Sequence, residues 1–277
     1  KWAMFDDVAA AAVESGLGDR IGQPDGDAAD HVSAAHAVLR NAHNHSIDAI
    51  GHRIVQGGDL FSGPALVDEK TIKNLRTLDT LAPLHNPPAR AVVEGLVESG
   101  IAQTLVFDTA YFATLPPAAY RYAVPNDWYR DHAVRRYGFH GTSHQYVTTK
   151  AINWLRSFDP SATQLRIVSL HLGGGASATA SIDGVAIDTS MGMTPLEGLV
   201  MATRSGDLDP AIIFHMTRQA GMSTDELDHA LNQQSGLLGL CGDSDMRAVL
   251  QRRRRGDEAE SLAIDIFVRR LTKTVGA

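Results

Sequence analysis

Leu165-Arg166-Ile167-Val168-Ser169-Leu170-His171-Leu172-Gly173-Gly174-Gly175-Ala176-Ser177-Ala178-Thr179-Ala180-Ser181-Ile182-Asp183-Gly184-Val185-Ala186-Ile187-Asp188 carries the clearest β pattern in the chain. Residues 165–172 form one strand, three glycines turn the chain, and 176–182 returns. Asp183-Gly184 has hairpin-turn chemistry, so 185–188 makes a third antiparallel strand. The glycine turn admits two readings. It is an ordinary hairpin, or a backbone cradle for an anion, since no Cβ stands between the N–H groups and a ligand. It is not a P-loop, which ends in Lys-Ser/Thr and enters a helix. Nor is it a dinucleotide-binding loop, because a strand follows.

Upstream, helical patterns alternate with short apolar runs. Val32, Ala35, Val38, Leu39 and Ala42 fall at helical spacing within 30–44. Residues 50–55 read as a strand ending at Gly57-Gly58. Asp68 opens a helix with Ile72, Leu75, Leu78 and Leu81 on its apolar stripe. Pro88 suits the first turn of a helix over 89–98, which Gly100 ends. Residues 103–107 make a buried strand that runs into Asp108. The stretch 113–130, with three prolines and three tyrosines, is helix-poor and marks the boundary between domains 1–112 and 113–277.

Downstream the pattern is helical. Asp209-Pro210 predicts a capped helix over 211–219. Ser223-Thr224-Asp225-Glu226 has capping-box spacing for a helix ending near Gly236, and a last helix starts at Glu258. The basic run Arg252 to Arg255 reads as a solvated helix face.

Composition narrows the function. With 277 residues, 44% of them hydrophobic, the chain has the size of two domains and too much apolar content for disorder. No apolar run approaches the roughly 20 residues of a membrane span. Lone Cys241 excludes a disulfide framework or a cysteine-built zinc site within these residues, and fits a reducing compartment, the cytoplasm. The balance of 25 Lys+Arg against 32 Asp+Glu, net −7, argues against a nucleic-acid partner.

Four residues stand out for chemistry. Arg204 lies in a long small-residue loop ahead of a helix, where a planar guanidinium would match carboxylate or phosphate oxygens or close an interdomain ion pair. Arg53, in a strand that reads as buried, is half of an ion pair or an anion ligand. His140, in the donor-rich run Arg135-Arg136-Tyr137-Gly138-Phe139-His140-Gly141-Thr142-Ser143-His144, can stabilise developing charge, or is structural. Asp108, at the carboxyl end of an apolar strand, is an active-site acid or a loop cap.

Taken together, six blocks in order resemble the acetate kinase family, with its propionate and butyrate kinase relatives. They are Gly51-His52-Arg53-Ile54-Val55-Gln56-Gly57-Gly58, Ala82-Pro83-Leu84-His85-Asn86-Pro87-Pro88, Val106-Phe107-Asp108-Thr109-Ala110, and the stretches 136–144, 171–177 and 188–210. The resemblance implies an α/β fold of the actin/hexokinase/Hsp70 type, two ribonuclease-H-like domains with a nucleotide cleft between them. It implies ATP-dependent phosphorylation of acetate to acetyl phosphate in a cytoplasmic homodimer that uses magnesium or manganese. Propionate kinase and a non-catalytic nucleotide-binding relative are the alternatives.

By position, the resemblance assigns Arg53 and Arg204 to the carboxylate and the transferring phosphoryl, and His140 to the transition state. It assigns Asp108 to base or magnesium-linked work. Val55, Leu84, Phe139 and Pro195, with His85 nearby, would form the acyl pocket. Lys1, His171, Leu172, Gly173, Gly174, Gly175, Asp245, Met246 and Arg247 would contact the nucleotide. Gly174 departs from the family's usual Asn in the turn. Lys1 looks like the last residue of the family's first phosphate loop, and a later adenosine loop is expected beyond residue 277.

Overall fold

The computed structural model describes residues 1–6, 11–42, 45–83 and 85–277. The chain divides into two compact units, Lys1–Gln56 with Pro64–Val106, and Gly57–Gly63 with Phe107–Ala277.

In the first unit, strands β1 (Trp2–Met4) and β2 (Glu14–Gly16) pair antiparallel. Helix α1 (His31–Asn41) starts where Asp30 accepts from the Ser33 amide, which satisfies one of the orphan donors of its first turn. Strand β3 (Ala49–Ile54) follows, then β4 (Ala65–Leu66), and helix α2 (Glu69–Thr77), capped by Asp68 in the same way. Helix α3 (Asn86–Gly95) begins ahead of its prolines, so Pro87 and Pro88 both sit in the first turn, where no N–H is missed. Gly100 takes a left-handed conformation after a short 3₁₀ turn, and strand β5 (Ala102–Phe107) begins. The strand order is β3-β5-β4. Helix α3 packs on α1, α2 and β3, and Leu75, Val93, Leu96 and Leu105 are buried in this unit.

In the second unit, helices α4 (Pro117–Tyr120) and α5 (Asn126–His132) occupy the stretch expected to be helix-poor. The prolines there open helices instead of preventing them. Helix α6 (Gly141–Phe158) is long and leads to the three-stranded sheet. That sheet is β6 (Arg166–Leu172), β7 (Ala176–Ile182) and β8 (Val185–Thr189), antiparallel and in sequence order. Asp183 and Gly184 have φ of 48° and 88°, both in the left-handed region, which is the geometry a tight two-residue hairpin needs. The expected meander is therefore present.

Helix α7 (Ala211–Ala220) follows, with Asp209 accepting from the Ala211 amide. Helix α8 (Thr224–Gln233) has the full capping box between Ser223 and Glu226. It stops at Gln233; Gly236, with φ of 62°, opens helix α9 (Gly236–Cys241) and does not end α8. Helices α10 (Met246–Arg255) and α11 (Glu258–Val275) complete the unit, and α11 packs on α9 and α10. The arginine run is not wholly solvated: Arg252 pairs with Asp243 and with Glu260, and Arg253 pairs with Asp265. Phe61 stacks on Phe107 at 4.3 Å, while Phe112, Leu115 and Ala186 form a second buried cluster.

Candidate functional site

The first turn of α6 is the hub of the second unit's polar residues. Its N-cap is His140, held at φ 58° and ψ 23°, a conformation that turns the chain sharply into the helix. Gly141 lies so close to the Asp108 carbonyl that a Cβ would clash with it. Thr142 donates its hydroxyl to Oδ1 of Asp108 at 3.1 Å. Asp108 itself is fully buried, immediately after β5. Sequence thus places an acid at a strand end, and α6 fixes its carboxylate.

His140 stacks on His171 of β6, ring centroids 4.1 Å apart and planes 20° from parallel. Its Nδ1 is 2.8 Å from Oγ of Ser177, and Nδ1 of His171 is 2.9 Å from Oγ of Ser143. The same Ser177 hydroxyl meets Nε2 of His144 at 2.8 Å, and Nδ1 of His144 meets Ser169 at 2.8 Å. His144 is buried, and burial, with the charge of His171 adding to it, pushes its pKa down to about 4.

The glycine turn closes over this cluster. A Cβ at Gly175 would fall 3.2 Å from Cε1 and Nε2 of His140 and 3.5 Å from Nη1 of Arg204. Gly173 directs its N–H to the Gly175 carbonyl at 2.9 Å, and the Gly174 carbonyl accepts from Ala202 at 3.1 Å. A Cβ at Gly174 meets nothing within 4 Å.

Six residues of its loop, 205–210, separate Arg204 from the start of α7 in the chain. That loop is fastened by Ser235 donating to the Thr203 carbonyl and Ser205 donating to that of Leu231. The Arg204 guanidinium donates to the Pro195 carbonyl at 3.2 Å and lies 3.8 Å from Sδ of Met201. Among the described residues it has no carboxylate partner, and burial alone lowers its pKa. A half-buried cation without a counter-anion is poised for one.

The loop that carries Pro195 is pinned by residues sequence reading did not single out. Arg136 donates to the carbonyls of Thr189, Ser190 and Met191 and pairs with Glu197 at 2.7 Å. Tyr122 also donates to Glu197 and accepts from the Met193 amide. Burial first, then Glu197, raises the Tyr122 pKa. Phe139 is buried.

Leu172, Gly173, Gly174, Asp245, Met246 and Arg247 all line one cavity of about 550 Å³, whose other walls come from Met201, Ala202, Leu237 and α11. Asp245 caps α10 and pairs with the exposed Arg247 at 3.1 Å.

Arg53, Val55 and His85 belong to the first unit. Arg53 is exposed on β3, contrary to the buried strand position its apolar neighbours imply, because alternation along β3 buries Ile54 and turns residue 53 outward. Gln56 and Asn86 are buried and bond reciprocally, Gln56 N–H to Oδ1 at 3.2 Å and Nδ2 to the Gln56 carbonyl at 2.9 Å. That pair ties the end of β3 to the start of α3. Leu84 lies outside the described residues. Lys1 is exposed ahead of β1.

Among the described residues no group of three or more His, Cys, Asp or Glu side chains is arranged to hold a metal, and no helix is long and apolar enough to cross a membrane. The family model described as the acetokinase family matches residues 11–277. A curated acetate kinase of Streptomyces griseus is 50% identical over 234 residues, 83% of this chain and 55% of that protein. One of Micrococcus luteus is 45% identical over 267 residues, 94% and 68% respectively. A solved propionate kinase of Francisella tularensis superposes with a TM-score of 0.82 at 42% identity, covering 88% of this chain and 62% of that one. An acetate kinase of Porphyromonas gingivalis gives 0.84 at 39%, covering 90% and 65%. The chain thus spans little more than half to two thirds of the length of these relatives. The fold is the α/β fold of the actin/hexokinase/Hsp70 type expected above.

Proposed function

The chain belongs to the acetokinase family, and from that premise we propose that it moves the γ-phosphoryl group of ATP to acetate, reversibly and in line, giving acetyl phosphate and ADP. The observation that carries the reading is the convergence on Gly175 of the His140 ring and the Arg204 guanidinium, the latter half-buried with no carboxylate partner among the described residues. Two anions must meet in this reaction, and charge spreads over the equatorial phosphoryl oxygens, so catalysis is mostly positioning and cationic stabilisation.

The acetate oxygen attacks the γ-phosphorus while the bond to the ADP oxygen breaks. We assign Arg204 and Arg53 to the carboxylate and phosphoryl oxygens, and His140 to the developing charge. Val55, Leu84, His85, Phe139 and Pro195 are assigned to the acyl group. Lys1, His171 and Leu172–Gly175 are assigned to the phosphates, with Asp245–Arg247 on the adenosine side; the shared cavity supports the last grouping. Residues 1–112 and 113–277 are assigned to the two ribonuclease-H-like domains.

Asp108 fits a magnesium site as one hard carboxylate donor, because magnesium commonly takes one or two carboxylates and completes its shell with water and substrate phosphates. When bound, the ion neutralises charge on the nucleotide phosphates. The reading also makes the protein a homodimer and places it in the cytoplasm, a reducing compartment that its single cysteine fits.

Acetate and MgATP with hydroxylamine should yield acetyl hydroxamate. Absence of product with both acetate and propionate overturns the reading. Propionate is the second acceptor to test, since a propionate kinase is among the similar structures; one methylene gives only roughly 10–200-fold discrimination. Nucleotide binding by calorimetry without turnover would identify a non-catalytic relative.

A further inference from the structure

The Ser169–His144–Ser177–His140 chain has a definite proton order. His144 is buried and neutral, so one ring nitrogen donates and the other accepts. Each serine has a single proton to give. Ser169 has the Thr179 carbonyl 3.4 Å away to receive its proton, which leaves Ser169 Oγ to accept from Nδ1–H of His144. Nε2 of His144 is then an acceptor, and the Ser177 hydroxyl donates to it. Ser177 can therefore only accept from His140, whose Nδ1 must carry a proton. The opposite order would aim the Ser177 proton at Nδ1 of His140. That arrangement leaves the Ser169 contact with Thr179 unmade, and it clashes whenever His140 is doubly protonated.

We propose that His144 is a positioning residue that acts through Ser177 to hold a proton on Nδ1 of His140, leaving Nε2 as the atom presented beside Gly175 and Arg204. With this order His140 can gain or lose a proton at Nε2 without any hydroxyl in the chain rotating. A preorganised ring of this kind needs no rearrangement at the moment charge develops. The proposal rests on the functional reading only for its catalytic consequence; the proton order is a property of the folded chain.

The test uses the full chain labelled with [15N]histidine. Long-range nitrogen–proton spectra, recorded above the range where imidazole titrates, distinguish the two neutral tautomers. Free histidine favours Nε2–H, so an Nδ1–H form at His140 is diagnostic. His140 should show that form in the wild type. In His144→Phe the Ser177 hydroxyl loses its acceptor and turns to Nδ1, and His140 should switch to Nε2–H. In hydroxamate assays the same variant should lose kcat on the order of 10²-fold, with the acetate KM little changed. A wild-type His140 protonated on Nε2, or a tautomer unchanged in His144→Phe, overturns the proposal. The wild-type spectrum decides even if the variant does not fold. An Nδ1–H wild type in a chain with no turnover would sink the kinase reading and leave the proton order standing.

Discussion

The backbone of Gly175 abuts the ring of His140, close enough that a Cβ would lie 3.2 Å from Nε2. That spacing is tighter than ordinary van der Waals contact, so the ring must retreat by a few tenths of an ångström if a methyl appears. Gly175→Ala should keep the fold and lower kcat roughly 10-fold, since displacements approaching 1 Å cost about 10²-fold. Steady-state hydroxamate kinetics check it. Unchanged kcat would mean that the position of the ring does not matter.

Gly174 is the contrasting case, with no atom within 4 Å of a built Cβ and no left-handed φ. Gly174→Asn should leave the melting temperature within about 2 °C of wild type, the usual range for a surface change away from special features. The added amide faces the cavity shared with Asp245–Arg247 and should tighten ATP binding severalfold in calorimetry. Weaker binding would show that the turn needs a glycine at its middle position.

Arg204→Ala should lower kcat on the order of 10²-fold while raising the acetate KM much less, because the guanidinium is assigned to charge that develops in the transition state. A change confined to KM would reduce the residue to substrate binding. Arg204→Lys should recover little, because an ammonium cannot reproduce the planar fork.

His144 sets a pH dependence of stability. Its folded pKa of about 4 lies below the ordinary value of 6.5, so between those values the unfolded chain binds more protons. Stability therefore rises with pH through that window and is lost on acidification from 6.5 towards 4, by up to about 3 kcal/mol. His52, also lowered by burial, acts with the same sign. Urea unfolding at pH 4.5 and 7 should show a smaller difference for His144→Phe than for wild type. Equal differences would mean that His144 is protonated in the fold.

Gly192 faces Glu197 and Tyr122 so closely that a Cβ would clash with both oxygens. Glu197→Ala removes the partner of Arg136 and should cost about 2 kcal/mol, less than a fully buried pair because both side chains are partly exposed. Gly192→Ala should cost a similar amount. The double variant should cost clearly less than their sum, since the methyl occupies the space the carboxylate leaves. Additivity in urea unfolding would contradict the packing.

What could be read from sequence was whatever depends on neighbours in the chain. The 165–188 meander, the Asp68 cap and the Ser223–Glu226 box are local chemistry, and all are present. Helix α6 gave no such signal: it starts at a left-handed histidine without a capping side chain, and Tyr146, Trp154 and Phe158 on its exposed side blur the apolar stripe. Tertiary pairs were invisible for the same reason. Tyr122 and Glu197, or His144 and Ser177, meet only after folding. The exposure of Arg53 shows the converse, since an apolar neighbourhood in sequence says nothing about which face of a strand a residue takes.

The cavity walls raise a question of ancestry. Every residue lining the 550 Å³ cavity comes from position 172 onward, whereas Arg53, Val55 and His85 come from the first unit. Under the proposed roles, part of what selects the acid acceptor and the whole of this cavity are inherited on different stretches of polypeptide. A lineage could then shift its choice of nucleotide by drift in the later half while its acyl preference stays under separate selection.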